Sequence, residues 1–220
     1  MARCCFLFFQ ITLHKGDAMK KHRKIPSRKI PDGAFLIGKR IALRALNKGD
    51  APLFYKWIND PEVHQFLKMS YPNSIAEEEK WIESLPEKKA TDVVFGIVLI
   101  ETGKLIGVMG LHRISAKDGT AVTGSFIGEK QYWSKGYGTE AKMLVLEYAF
   151  NTLNLYKIRS MVFAFNGRSK RCLEKCGYHQ EGVLKEQIYR NGQRVDEILM
   201  AIFKEDFLKL WAKYKKKYVV

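Results

Sequence analysis

The sequence predicts one α+β domain over residues 34–203, and three observations carry that expectation. Strand-period runs cluster in two blocks, 93–127 and 157–203, a long helical pattern joins the blocks, and helix-capping signals at Asp50 and Ser74 precede the first of them. Residues 41–46 alternate as a short strand does. Asp50 then offers an N-cap, with Pro52 in the first turn of a helix that carries Leu53, Phe54, Trp57 and Ile58. Ser74 and Glu77 make a capping box for a second helix, which runs through Trp81 and Ile82 to a stop at Pro86. The runs 93–100, 104–111 and 121–127 are rich in β-branched residues, and turns at 101–103 and 117–119 make them an antiparallel meander. After Gly136-Tyr-Gly138, the residues Ala141, Leu144, Val145, Tyr148, Ala149 and Thr152 recur at helical spacing. A strand at 157–165 leads to Asn166, which opens a short helix ending at Gly177, a residue suited to a left-handed C-terminal position. Asn191-Gly192, between Ile188-Tyr189 and the alternating run 195–203, predicts a hairpin with a tight primed turn.

The 220 residues, 46% hydrophobic and 12% aromatic, supply a packed core for such a domain. No apolar stretch reaches the length of a membrane span, which excludes an integral helical membrane protein. The formal charge is +15, but ten of those charges fall at the two ends. Residues 1–33 form a basic arm, and 204–220 read as a basic tail in which aromatics from Trp211 to Tyr218 interleave with lysines. Such ends suit a weak contact with a ribosome or RNA, and an ordinary solvated helix end competes with that reading. The apolar run from Cys4 to Leu13 lacks a signal-peptide cleavage site, and Met19, ahead of Lys20-Lys-His-Arg-Lys24, reads as the initiator. Cysteines 4, 5, 172 and 176 make neither a disulfide framework nor a zinc site, so the expectation is a cytoplasmic chain with buried structural thiols and no metal.

The chemistry is expected in the loop from Ser134 to Thr139, placed between a strand and the start of the long helix. Unpaired N–H groups and the helix dipole there favour an anion, Gly136 and Gly138 let a pyrophosphate approach the backbone, and Lys135 and Thr139 add a charge and a hydroxyl. Walker and Rossmann spacings are absent. Two glycines alone also suit an ordinary loop.

The order of these parts resembles the GNAT superfamily of N-acetyltransferases. The coenzyme loop of that family reads Q/R-x-x-G-x-G/A, and Trp133-Ser-Lys-Gly136-Tyr-Gly138 follows it with Trp133 in the first place. The stretch 132–141, then Asn166-x-x-Ser169, Glu174-Lys-Cys-Gly-Tyr178, Glu181-Gly182 and Asn191-Gly192, is similar to the RimJ/RimL branch. The resemblance implies a GNAT fold, a bent mixed sheet flanked by helices, with acetyl-coenzyme A between the fourth and fifth strands, at 121–128 and 157–165. It implies that the backbone amides of Ser134, Lys135, Gly136, Tyr137, Gly138 and Thr139 bind the pyrophosphate. Backbone around Phe126, Ile127 and Gly128 pairs with the pantetheine arm, while Asn166 and Ser169 line the thioester end. On the residues alone, Asn166 is equally an N-cap and Ser169 an exposed first-turn residue. In direct transfer an amine attacks the acetyl carbonyl and a donor stabilises the departing thiolate. The resemblance places Ser169 for that role, although many relatives use instead a Tyr on this helix, at the position where Leu173 stands here.

Candidate bases are Glu129, His112, His64 and Glu79, each of which also reads as a surface or packing residue. An α-amino group, with a pKa near 7.7–8.0, needs less help to lose its proton than a lysine or polyamine amine near 10.4. The lack of an obvious base therefore leans towards a protein N-terminal amine as acceptor. A small amine such as spermidine or an aminosugar is the alternative. A third reading is a non-catalytic module binding coenzyme A or RNA, and the chain is expected to be a monomer or homodimer.

Overall fold

The computed structural model describes residues 30–218. The basic arm and the Met19 start expected from the sequence fall almost wholly outside the described residues. Eight strands form one mixed sheet: β1 (Ala34–Ile37), β2 (Ile41–Ala45), β3 (Val93–Leu99), β4 (Leu105–Ser115), β5 (Thr120–Ile127), β6 (Lys157–Phe163), β7 (His179–Arg190) and β8 (Gln193–Phe203). Their spatial order is β1-β2-β3-β4-β5-β6-β8-β7. The four-residue β1 has no counterpart in the sequence reading, so the strands expected as fourth and fifth are β5 and β6. Every neighbouring pair is antiparallel except β5 and β6.

That one parallel pair is short. Thr120, Ala121 and Val122 pair with Lys157, Ile158 and Arg159, and no pairing continues beyond them. The two strands diverge from there and open a wedge in the sheet. Asn191 and Gly192 close the β7–β8 hairpin with φ of 50° and 80°, the left-handed pair that a type I′ turn requires.

The helices are α1 (Ala51–Ile58), α2 (Pro61–His64), α3 (Ile75–Ser84), α4 (Tyr137–Glu147), α5 (Gly167–Lys175) and α6 (Lys204–Tyr218). Ser74 caps α3 through the expected reciprocal bonds with Glu77. Asp50 precedes α1 but does not cap it. Its carboxylate instead accepts from the Asn47 amide and from Arg44 Nη1 and Nη2, fixing the turn before the helix. On one face of the sheet, Ala141, Leu144 and Val145 of α4 pack with Ile97, Ile158, Val162 and Ile198. On the other, Phe54, Trp57 and Ile58 of α1 and Ile82 of α3 pack with Val98, Leu105 and Val108.

Residues 204–218 depart from the expected tail. They form α6, whose Phe207 and Trp211 are buried against the α4 side of the core, with Phe207 beside Phe150. Phe207, Leu210, Trp211 and Tyr214 share one helical stripe, which outweighs the lysines on the remaining faces. Trp211 is therefore not available to stack on RNA. Among the described residues no helix is long and apolar enough to cross a membrane.

Candidate active site

The wedge between β5 and β6 opens into a cleft of about 490 Å³, bounded by the loop before α4, by α5 and by residues of the α2–α3 connection. The loop owes its shape to two left-handed residues, Ser134 at φ 60° and Gly136 at φ 83°. Gly136 is the N-cap of α4, so the first-turn amides of Tyr137, Gly138 and Thr139 have no partner within the helix. The Trp133 ring is anchored by an Nε1 hydrogen bond to the Ile127 carbonyl (2.6 Å), and Arg168 lies over it at 4.0 Å.

A buried carboxylate holds the loop in place. Glu140 of α4 is fully buried and accepts from the Arg40 amide (2.7 Å) and from Arg40 Nε (2.8 Å), while Arg40 Nη1 donates to the Lys135 carbonyl (2.9 Å). A carboxylate in the first turn is also favoured by the helix dipole. Gly38 makes room for it, since a Cβ there would lie 2.7 Å from Glu140 Oε1. Lys135 is exposed and does not line the cleft, so its contribution to the loop is its carbonyl rather than its charge.

Ladder parity decides which backbone groups of β5 face the wedge. Gly128 N–H donates to Ile106 C=O, so Gly128, Phe126 and Gly124 turn their polar groups to β4, and Thr123, Ser125 and Ile127 turn theirs towards β6. The Thr123 carbonyl is taken by Ser160 Oγ and the Ile127 carbonyl by Trp133. Of the expected trio, only Ile127 thus presents backbone to the cleft, and Ser125 joins it. Phe126 borders the cleft, and its ring packs against Phe54 and Trp57. Gly128 serves packing, because a Cβ there would sit 2.0 Å from the Trp57 ring.

Asn166 and Ser169 come together at the cleft wall. Asn166 Oδ1 caps α5 by accepting from the Ser169 amide (3.1 Å), which leaves the Ser169 hydroxyl without a partner among the described residues. Below them lies a cluster that sequence reasoning treated as packing. Cys172 lines the cleft with its Sγ 3.5 Å from Thr139 Oγ1, and Cys176 is buried behind it. Lys142 of α4 is 2% exposed, lines the same cleft and has no carboxylate partner among the described residues. Burial pushes its ammonium below the ordinary lysine range.

None of the four candidate bases lines the cleft. Glu129 accepts from Trp57 Nε1 (3.2 Å) and pairs with Lys104. Partial burial pushes its carboxyl up, but the bonds from Lys104 and Trp57 outweigh this and hold it below the usual range, which suits an anchor rather than a base. His112 bonds to Asp92, His64 to the Ile58 carbonyl, and Glu79 pairs with Lys48. The charges that do line the cleft are Lys68, Lys142, Arg168, Arg171 and Lys175, with no carboxylate among them.

Comparison with known proteins agrees with this geometry. The family model described as "Acetyltransferase (GNAT) domain" matches residues 40–179. This chain belongs to the GNAT acetyltransferase family. An uncharacterized N-acetyltransferase of Bacillus licheniformis is 25% identical over 174 residues, covering 78% of this chain and 97% of that protein. The spermidine N(1)-acetyltransferase of Escherichia coli is 36% identical over 78 residues, 36% of this chain and 42% of that protein. The spermidine N-acetyltransferase of Vibrio cholerae, solved in complex with CoA and spermine, superposes with a TM-score of 0.70 at 25% identity, covering 77% of this chain and 98% of its own. The protein has the GNAT fold and is an acetyl-CoA-dependent acyltransferase.

The donor set fits that coenzyme. Unpartnered amides at the start of α4, the lone Lys142 ammonium and the arginines of α5 are chemistry for a pyrophosphate, and the outward backbone of Ser125 and Ile127 is chemistry for an amide-bearing arm. Sequence reasoning missed Arg40, Glu140, Ser125, Lys142 and Arg168. The spacing of Arg40 and Glu140, 100 residues apart, carries no local signal.

Proposed function

We propose that this acetyltransferase acts on a protein N-terminal α-amine. The observation that carries the reading is the charge of the cleft: five cations line it and no carboxylate does, which favours the anionic coenzyme and disfavours a polycationic acceptor. An α-amine is substantially neutral near physiological pH, so it needs little from a strong base. Its acceptor end is walled by Val63, Phe66, Met161 and Phe163, apolar surfaces suited to the first side chain of a peptide.

Acetyl-CoA, when bound, supplies the thioester acetyl group. The α4 amides from Tyr137 to Thr139, with Lys142, hold the phosphates, and Ser125 and Ile127 orient the arm by backbone hydrogen bonds. Asn166 fixes the first turn of α5, and the Ser169 hydroxyl would donate a hydrogen bond to the departing thiolate while the proton of the attacking amine passes to water. Similarity to the RimJ/RimL branch at Asn166 and Ser169 supports the same reading.

A small-amine acceptor is the second reading, favoured by likeness to the Vibrio cholerae enzyme solved with spermine. The deciding experiment measures CoA release from acetyl-CoA with pooled N-terminal peptides in one well and spermidine plus aminosugars in another. Release with peptides is expected. Release only with the small amines overturns the assignment, and binding of acetyl-CoA without release in either well points to a non-catalytic module.

A further inference from the structure

The acceptor side of the wedge hides a carboxylate beneath one of its lining cations. Glu197 of β8 pairs with Phe163 of β6, and Leu199 with Met161. Val162 and Ile198 face α4, so strand alternation puts Met161, Phe163, Glu197 and Leu199 on the opposite face, towards the α2–α3 connection. The Glu197 side chain is 4% exposed, and the cation that meets it is Lys68, from that connection. Lys68 Nζ forms an ion pair with Glu197 Oε1 without the alignment of a hydrogen bond. Among the described residues Oε1 is the one buried side-chain polar atom left with no hydrogen-bond partner.

Lys68 belongs to a strap rather than to a packed element. Arg190, near the end of β7, donates to the carbonyls of both flanking residues, Leu67 and Met69, and its guanidinium lies over the Phe163 ring. The strap is thereby fastened across the cleft with Lys68 turned inward. Its ammonium reaches Met161 Sδ at 3.8 Å, yet its side chain remains 49% exposed. A buried carboxylate needs a cation and will accept another in place of the first. A half-exposed lysine on an irregular strap gives up its position at little cost. Lys68, Met161 and Phe163 line the cleft, so withdrawal of Lys68 leaves the Glu197 carboxylate at its floor between apolar walls.

We propose that Glu197 is the subsite for the acceptor's primary ammonium, and that Lys68 is its built-in occupant, which the acceptor displaces. The inference rests on the reading of this cleft as the site of amine acetylation and narrows it. One carboxylate without a second on the lining accommodates one positive charge, presented beside an apolar group, as in a peptide N-terminus.

The test compares wild type, Lys68→Ala, Glu197→Gln and the double variant, with acetyl-CoA affinity measured throughout as the check on folding. Binding of n-butylammonium, followed by ligand-observed NMR, does not require turnover. Lys68→Ala is expected to bind this probe about tenfold more tightly than wild type, and Glu197→Gln in the Lys68→Ala background to abolish the gain. In the CoA-release assay, Lys68→Ala lowers KM for the amine and Glu197→Gln raises it about tenfold, with kcat changed less. A Lys68→Ala protein that binds butylammonium no better than wild type overturns the subsite. So does a Glu197→Gln protein with unchanged KM, or one whose kcat alone falls. If neither acceptor pool is turned over by wild type, the N-terminal acceptor reading fails, and the butylammonium series still decides the subsite.

Discussion

On the α4 side of the sheet the cleft is walled by backbone: helix-start amides, left-handed loop residues and the outward edge of β5, locked from behind by Glu140 and Arg40. On the α1–α3 side it is walled by long side chains, with Lys68 over Glu197 and Arg190 clamping the strap. The first construction suits a partner that never changes, because amides and dipoles cannot be altered by substitution. The second suits an acceptor that differs between related enzymes, since one or two side chains retune it. The comparison predicts that substitutions on the α4 side change the affinity for acetyl-CoA, whereas those on the strap and hairpin change KM for the amine.

The largest expected effect lies where the two sides meet. Ser169→Ala should lower kcat about 10²-fold, the scale of a lost hydrogen-bond donor to developing negative charge, while leaving acetyl-CoA affinity nearly unchanged. Steady-state kinetics and equilibrium binding together check this. A variant that loses affinity at constant kcat would make Ser169 part of the coenzyme wall alone.

Next in size is the lock behind the loop. Glu140→Ala strands the Arg40 amide and frees the guanidinium that steadies the Lys135 carbonyl. The expected cost is about 1–3 kcal/mol of stability, held to that range because Arg40 is partly exposed. Acetyl-CoA affinity should fall with it and KM for the amine should not. Urea unfolding and calorimetric titration separate the two quantities.

Lys142→Met sharpens the comparison from the opposite direction. Burial of the Lys142 ammonium without a carboxylate outweighs its attraction to the Cys172 sulfur, so its replacement by an apolar chain of similar length should raise Tm. If that charge is kept for the coenzyme, the same variant should bind acetyl-CoA about tenfold more weakly. A rise in Tm with unchanged affinity would remove Lys142 from the site.

How much of this was legible in the sequence follows the same division. Gly136 and Gly138, the Ser74 capping box and the Asn191-Gly192 turn are local signals, each requiring only a few adjacent residues, and each stands in the structure where the sequence puts it. Signals that depend on a distant partner were not legible. Asp50 has the composition of a helix cap, but Arg44 and the Asn47 amide hold its carboxylate. Glu129 follows the strand that bounds the wedge, as a base would, yet Lys104 and Trp57 claim it from outside the cleft. In α6 the lysines near the chain end concealed a stripe from Phe207 to Tyr214 that packs on the core. Glu197 alternates along β8 like any half-polar strand residue, and only the return of the α2–α3 connection shows that Lys68 covers it.

The smallest expected effect concerns Cys172, which lines the cleft beside Thr139 at the start of α4. The neighbouring Cys176, the Thr139 hydroxyl and the charges of Lys142 and Lys175 together outweigh burial and bring its thiol from an ordinary 9.0 down to about 6. Burial and the same neighbour push Cys176 the other way, well above 9.0. A thiol whose folded value is depressed adds stability that is fully present above its unfolded value and is lost as pH falls through about 6. Cys172 is therefore expected to ionise at lower pH than Cys176. Alkylation by iodoacetamide, read by peptide mapping, should modify Cys172 with a midpoint near pH 6 and leave Cys176 unmodified. Because Cys172 lines the cleft, acetyl-CoA should slow its alkylation, whereas an amine acceptor bound on the far face of the sheet should not. In Lys142→Met the midpoint should move upward, since one of the charges that favours the thiolate is gone. Equal protection by acceptor and coenzyme would break the division of the cleft into two walls.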